Sequence, residues 1–254
     1  MESEQCQKLS EILPIMLGRT METRKMICSK HGSYEQSEHI VMGRMFKSVC
    51  PKCLEEVEKA EKTADSRIEW LSKRRENMRL DNYVVYNDDQ RKIVERCVKY
   101  TSNFEKVMSL GSCLTLIGNP GTGKTHLATA IALEVMNNGY SVSYKRLYNL
   151  MLVIKATYGK GATDTEAAII KRLAEYDLLV LDEVGLKNFS ETEVALTYQI
   201  IDTRYEAVKP TVIVSNLNLQ DLEACIGTRT IDRLFENHGA VLTFGWESER
   251  RKKR

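Results

Sequence analysis

The stretch Gly118-Asn119-Pro120-Gly121-Thr122-Gly123-Lys124-Thr125 fits the pattern G-x-x-x-x-G-K-[ST] at every fixed position. An apolar run, Cys113 to Ile117, leads into it, and a helix-forming run, His126 to Met136, leads out. A strand, a glycine-rich loop and a helix in that order make a phosphate cradle at the carboxyl edge of an α/β sheet. The glycines let backbone N–H groups turn inward around a triphosphate, and the helix N-terminus adds its positive end. Lys124 would reach the β- and γ-phosphates, and the Thr125 hydroxyl would hold Mg²⁺. Gly118 to Thr125, with His126 directly behind, are the expected ATP-binding set.

The acidic half of such a site is also present. Asp177 to Asp182 reads as a strand that is apolar between its acidic ends, as expected when both faces are buried. It delivers Asp182 and Glu183 to the sheet edge. Asp182 would act on Mg²⁺ through its water shell, and Glu183 would orient and polarise the attacking water. A strand over 141–146 lies between the two motifs, an arrangement that favours hydrolytic ATPases with an extra central strand. A further strand over 211–215 ends in Ser215-Asn216, and Asn216 is placed to sense the γ-phosphate or position water. Strands over 113–117, 141–146, 177–182, 211–215 and 240–245 alternate with helices over 88–101, 124–137, 147–157, 164–175 and 191–207. Alternation of this kind argues for a parallel sheet covered on both faces.

Composition separates three regions: 1–54, 55–80 and 81–254. The chain has 254 residues, enough for one large or two small domains. Residues 55–80 are rich in charge, with acid-to-base pairs four apart such as Glu55/Lys59, Glu58/Lys62 and Glu69/Lys73, which reads as an exposed helical connector. The first region carries Cys28-x₂-His31 and Cys50-x₂-Cys53 with eighteen residues between the pairs. Two such pairs in a cytoplasmic protein read as a zinc site, and four protein ligands make it structural. His39 is the alternative to His31. A small region with little apolar content needs a staple of this kind.

No run approaches 18 uninterrupted apolar residues, so no membrane span is expected. The charged first 25 residues lack a signal peptide's apolar core. Seven cysteines without such a signal fit a reducing cytoplasm. The net charge of +2 decides little, but the ending Arg250-Arg251-Lys252-Lys253-Arg254 can touch nucleic acid or be a solvated terminus. Lys155, Tyr158 and Lys160, interleaved with glycines, make a candidate single-strand contact: the aromatic ring stacks on a base while lysines meet phosphates.

Residues 82 to 250 resemble the DnaC/IstB group of AAA+ ATPases, and within it the DnaC-type helicase loaders. Asn82-Tyr83, the loop Gly118 to Thr125, Asp177 to Gly185, Ser215-Asn-Leu-Asn218, Gly227-Thr-Arg-Thr-Ile-Asp-Arg233 and Trp246-Glu-Ser-Glu-Arg250 carry the resemblance. It implies an AAA+ P-loop core with a five-stranded parallel sheet and no C-terminal lid domain. It implies that Asn216 is the sensor-1 residue, Arg229 an arginine finger acting on a neighbour's ATP, and Arg250 the sensor-2 arginine. Arginine suits these roles because its planar fork binds phosphate oxygens and stays charged. It also places Tyr158 in an insertion that touches single-stranded DNA. The implied function is ATP-dependent loading of a DnaB-type replicative helicase onto single-stranded DNA, with subunits assembled into a ring or spiral and ATP hydrolysed between them. The alternatives are an IstB-like transposition helper ATPase and an adaptor that binds ATP as a switch without turnover. E. coli-type members of the loader group lack the zinc module, while some other loaders carry zinc there.

Overall fold

The computed structural model describes residues 23–41, 44–47, 50–52, 71–158, 164–185 and 189–248. The chain divides into two compact units, Met1–Ala64 and Asp65–Arg254. The division falls inside the charged stretch 55–80. Residues 55–70 of that region lie outside the described residues, and 71–80, expected as part of a helical connector, are irregular with a turn at 73–77.

In the first unit, β1 (Thr23–Cys28) and β2 (Gly32–Val41) form an antiparallel hairpin closed by the pair Cys28 and Gly32. β3 (Arg44–Lys47) extends it on the other edge of β2. Five of the six residues of β1 are exposed, so among the described residues this strand covers no apolar core.

The second unit is a parallel sheet of five strands between helices. Its strands are β4 (Leu114–Gly118), β5 (Val142–Arg146), β6 (Leu178–Val184), β7 (Thr211–Ser215) and β8 (Ala240–Phe244). Their order across the sheet is β5-β6-β7-β4-β8. The helices are α1 (Asp88–Ser102), α2 (Phe104–Leu110), α3 (Lys124–Asn137), α4 (Leu147–Ala156), α5 (Glu166–Glu175), α6 (Glu191–Glu206), α7 (Leu219–Ile226) and α8 (Thr228–Phe235). The apolar runs of the strands explain why both faces are covered. Leu179, Leu181 and Ile213 face a core shared with α4 to α8, while Leu178, Val180, Val212 and Val214 face one shared with α1 to α3. Local chemistry sets the helix starts. The Asn87 side chain caps α1, Thr165 caps α5, and Ser190 with Glu193 forms a reciprocal capping box at α6.

Arg204, fully buried on α6, fastens three elements: its guanidinium donates to the carbonyls of Leu173, Tyr176 and Pro210 and to the Thr211 hydroxyl. Its side-chain donors thus find acceptors where a lone buried charge would be costly. Among the described residues, no helix is long and apolar enough to cross a membrane.

Candidate functional site

Sheet order brings the motifs together. β4 and β6 are separated by β7, so the ends of β6, β7 and β4 stand side by side. Asp182 and Glu183 end β6, Asn216 follows β7, and the glycine-rich loop follows β4. Asn216 is therefore set between the acidic pair and the loop, and it is exposed.

The loop leaves β4 at Gly118, where φ is 121°. A Cβ there would meet the Phe244 carbonyl oxygen at 2.4 Å, so the close approach of β4 and β8 demands glycine. The Lys124 side chain is nearly buried, and its Nζ donates to the carbonyls of Gly118 at 2.7 Å and Asn119 at 2.6 Å. A cation buried inside a ring of backbone groups fits a phosphate-bearing ligand, because phosphate oxygens can replace those carbonyls as acceptors. Thr125 is half-buried on the first turn of α3.

Two aromatic side chains hold the loop from outside. The Tyr83 hydroxyl donates to the Thr122 carbonyl at 2.9 Å, and the Trp246 indole donates to the same oxygen at 3.2 Å. Tyr83 lies so close that a Cβ on Gly123 would come within 2.6 Å of its ring. His126 faces the same segment: its Nε2 donates to the Arg79 carbonyl at 2.9 Å, and its ring meets Tyr83 edge-on at 5.4 Å.

At the acidic pair the strand is irregular. Pairing of β6 with β7 slips between Leu181 and Val184, and Glu183 has a φ of 60°. Such a bulge re-aims side chains. A left-handed glutamate costs of order 1–3 kcal/mol and has to be held by its surroundings. Here the Glu183 N–H donates to Asp182 Oδ1 at 2.8 Å, and the buried Ser215 hydroxyl donates to the Val184 carbonyl at 2.7 Å. Asp182 is 1% exposed, and its Oδ2 accepts from the Tyr144 hydroxyl at 2.6 Å and from Arg75 at 3.4 Å. Burial, followed by the Asp182 charge, pushes the Tyr144 phenol well above its usual range, which keeps it a donor. Glu183 is partly exposed and lies 3.7 Å from Arg146 Nε. A buried carboxylate at the same sheet edge as the α3 threonine fits a hydrated divalent cation, and one accessible carboxylate next in sequence fits a proton acceptor.

Two arginines follow the strand that ends at Ser215. Arg229 is exposed on α8. Arg233 is held on its own fold by Asp202 at 2.9 Å and Glu236 at 3.3 Å, with Tyr205 under its guanidinium. Lys155 and Tyr158 both lie at the end of α4 and both have acidic partners: Lys155 meets Glu193 at 2.8 Å, and the Tyr158 hydroxyl donates to Glu166. Lys160, Arg250 and Cys53 lie outside the described residues.

In the first unit, Cys28, His31 and Cys50 bring their ligand atoms within 4.8 Å of one another. Each sulfur is 3.7 Å from His31 Nδ1. Tetrahedral zinc with ordinary bond lengths sets sulfur and nitrogen about 3.6 Å apart, so the three residues fit such an ion. His31 is the histidine of this cluster, while His39 lies within β2.

Sequence reasoning found the nucleotide motifs, and it read Tyr83 and Trp246 only as carriers of a resemblance. It missed Arg75, Tyr144 and Arg146 at the acidic pair. The signal for Tyr144 was a phenol near the carboxyl end of the edge strand beside β6. Arg75 had no signal beyond its place in a charged run.

Residues 55–254 match the model of the family described as IstB-like ATP binding protein. The chain is 35% identical over 176 residues to the replicative helicase loader DnaC of Buchnera aphidicola subsp. Baizongia pistaciae, which covers 69% of this chain and 70% of that one. It is 31% identical over 177 residues to the replicative helicase loader DnaC of Escherichia coli K12, with 69% and 70% covered. A crystal structure of the DnaC helicase loader superposes with a TM-score of 0.61 at 26% identity, over 68% of this chain and 99% of that one. With the phosphate loop, the acidic pair and the five-stranded parallel sheet in one register, the chain belongs to the IstB-like ATP-binding proteins and carries their AAA+ P-loop core.

Proposed function

We propose that this protein is an ATP-dependent loader that places a DnaB-type replicative helicase on single-stranded DNA during replication. One observation carries the reading: the sheet order sets Asn216 between a buried Asp182, an accessible Glu183 and a loop built around the buried Lys124. The likeness to proteins named replicative helicase loaders supplies the biological context.

Magnesium, when bound, would supply the charge that offsets the phosphate oxygens of ATP; Thr125 and Asp182 would hold it. Lys124 binds the β- and γ-phosphates as a fixed cation. Glu183 orients a water and accepts its proton, and Asn216 helps to place that water. Arg229, exposed on α8, reaches the site of a neighbouring subunit, so turnover waits for assembly into a ring or spiral. Arg250 contacts phosphates of its own subunit. In the first unit, Cys28, His31, Cys50 and Cys53 bind one structural zinc and give the helicase-binding module, residues 1–54, its shape. The stretch 55–80 links that module to the ATPase domain, 81–254. Lys155, Tyr158 and Lys160 face the DNA strand, where phosphates can exchange with Glu193 as partners of Lys155. The protein works in the cytoplasm.

The test is reconstitution with the replicative helicase of the same cell and a single-stranded circle coated with single-strand binding protein. Unwinding should require this chain and hydrolysable ATP. Equal unwinding without it sinks the loader reading.

A further inference from the structure

Arg75 belongs to neither nucleotide motif, yet its guanidinium lies against the carboxylate expected to serve magnesium. It is 9% exposed, its terminal nitrogen is 3.4 Å from Asp182 Oδ2, and it stacks over the Tyr144 ring at 4.7 Å. Its segment touches the nucleotide site once more, through the Arg79 carbonyl on His126, and Tyr83 just beyond it donates to the Thr122 carbonyl. The residues just before Arg75 run back into the charged stretch that precedes the ATPase core.

A guanidinium and a hydrated dication are like charges competing for one buried carboxylate, and repulsion between them is weakly screened there. Asp182 has few lone pairs to share: Oδ1 already accepts from the Glu183 N–H, and Oδ2 accepts from Tyr144. The adjoining cleft, about 530 Å³, gives the displaced guanidinium room: beside Arg75 it is lined by Ser72, Asn149 and Arg146, and Arg146 lies 3.7 Å from Glu183. The contact with Asp182 is one of those that hold the 71–80 segment on the core, so its displacement loosens the segment there.

We propose that Arg75 is a displaceable counter-ion for Asp182, which competes with magnesium and releases the 71–80 segment when nucleotide and metal occupy the site. The fold thus carries a built-in contact that reports loading of the ATPase core to the chain before it. This rests on the reading that Asp182 serves magnesium.

Fluorescent ATP-analogue binding to the full chain, titrated with Mg²⁺, tests it. Arg75→Ala should lower the half-saturating Mg²⁺ concentration at least about threefold, with nucleotide affinity in EDTA unchanged. Arg75→Lys, which keeps the charge, should stay near wild type. An equal midpoint for Arg75→Ala overturns the proposal, and so does a higher one, which would mean that Arg75 positions the carboxylate for the metal. A second arm needs no variant. Trypsin cleavage after Arg75, read by mass spectrometry on wild-type protein, should speed up several-fold with Mg²⁺ and ATP relative to ATP in EDTA. Equal or slower cleavage overturns the proposal even if Arg75→Ala fails to fold. A wild-type chain that binds no nucleotide at any Mg²⁺ concentration sinks the ATP-site reading as well, whereas binding with unaltered Mg²⁺ dependence sinks this inference alone.

Discussion

A single lysine carries the positive charge inside the phosphate loop, and its burial makes its loss severe. Lys124→Ala should abolish tight ATP binding, checked by fluorescent-nucleotide titration; unchanged affinity would remove the loop from the site. Glu183→Gln keeps the side-chain shape and removes the proton acceptor. It should retain ATP binding and lower turnover by about 100-fold or more, within the range for loss of a general base. Turnover at the wild-type rate would assign the water to another residue. These residues were legible in sequence because their motifs are contiguous. The groups that hold them were not. Tyr83 meets Thr122 across 39 positions, Trp246 meets it across 124, and Arg75 meets Asp182 across 107. No local pattern encodes a contact that only the folded sheet creates.

The strands of the core were legible as elements, because apolar runs buried on both faces can be little else in an alternating chain. The expected strand over 113–117 is Leu114–Gly118, and that over 211–215 is Thr211–Ser215. The helices α2, α7 and α8 have seven or eight residues each and gave no comparable signal. Helices that short owe their existence to packing more than to propensity. The hairpin of β1 and β2 was missed because its strands are mostly polar and have little core to mark them. Its order should then depend on metal. Elemental analysis should find about one zinc per chain, as a Cys₃His set would bind. Cys50→Ser should lose the zinc and loosen the first unit while sparing ATP binding; metal-free protein with a folded first unit ends the zinc proposal. On α8, Arg229 is free to act outward while Arg233 is tied to Asp202 and Glu236. Arg229→Ala should spare nucleotide binding and remove the hydrolysis that appears on assembly. Mixing it with Glu183→Gln subunits should restore part of that hydrolysis, since each supplies what the other lacks. Mixed assemblies that stay inactive would pass the role to Arg233.

At the scale of the whole molecule, the Cys97 thiol, buried between α1 and the sheet, should lower stability in alkali. Burial raises the Cys97 thiol from 9.0 to about 12. A group neutral in the fold and ionised in the unfolded chain stabilises the native state only below the unfolded pKa, so stability falls as pH rises from 9 towards 12. By pH 10 the loss from this one group is about 1.4 kcal/mol. Thermal melts at pH 7 and pH 10 should show a smaller drop for Cys97→Ala than for wild type; equal drops would place the alkaline weakness elsewhere. The pairing of β4 with β8 has a consequence for how the protein is made. β4 is synthesised long before β8, yet Gly118 packs on Phe244 and the Asn119 N–H donates to the Phe244 carbonyl at 3.1 Å. On the ribosome, β4 therefore waits as an open edge, a pairing hazard, until β8 emerges. Nucleotide should help a half-made chain less, because the loop that grips it then keeps Tyr83 but lacks its second brace, Trp246. Premature termination upstream of that tryptophan should therefore yield protein that nucleotide protects from proteolysis less than it protects the full chain.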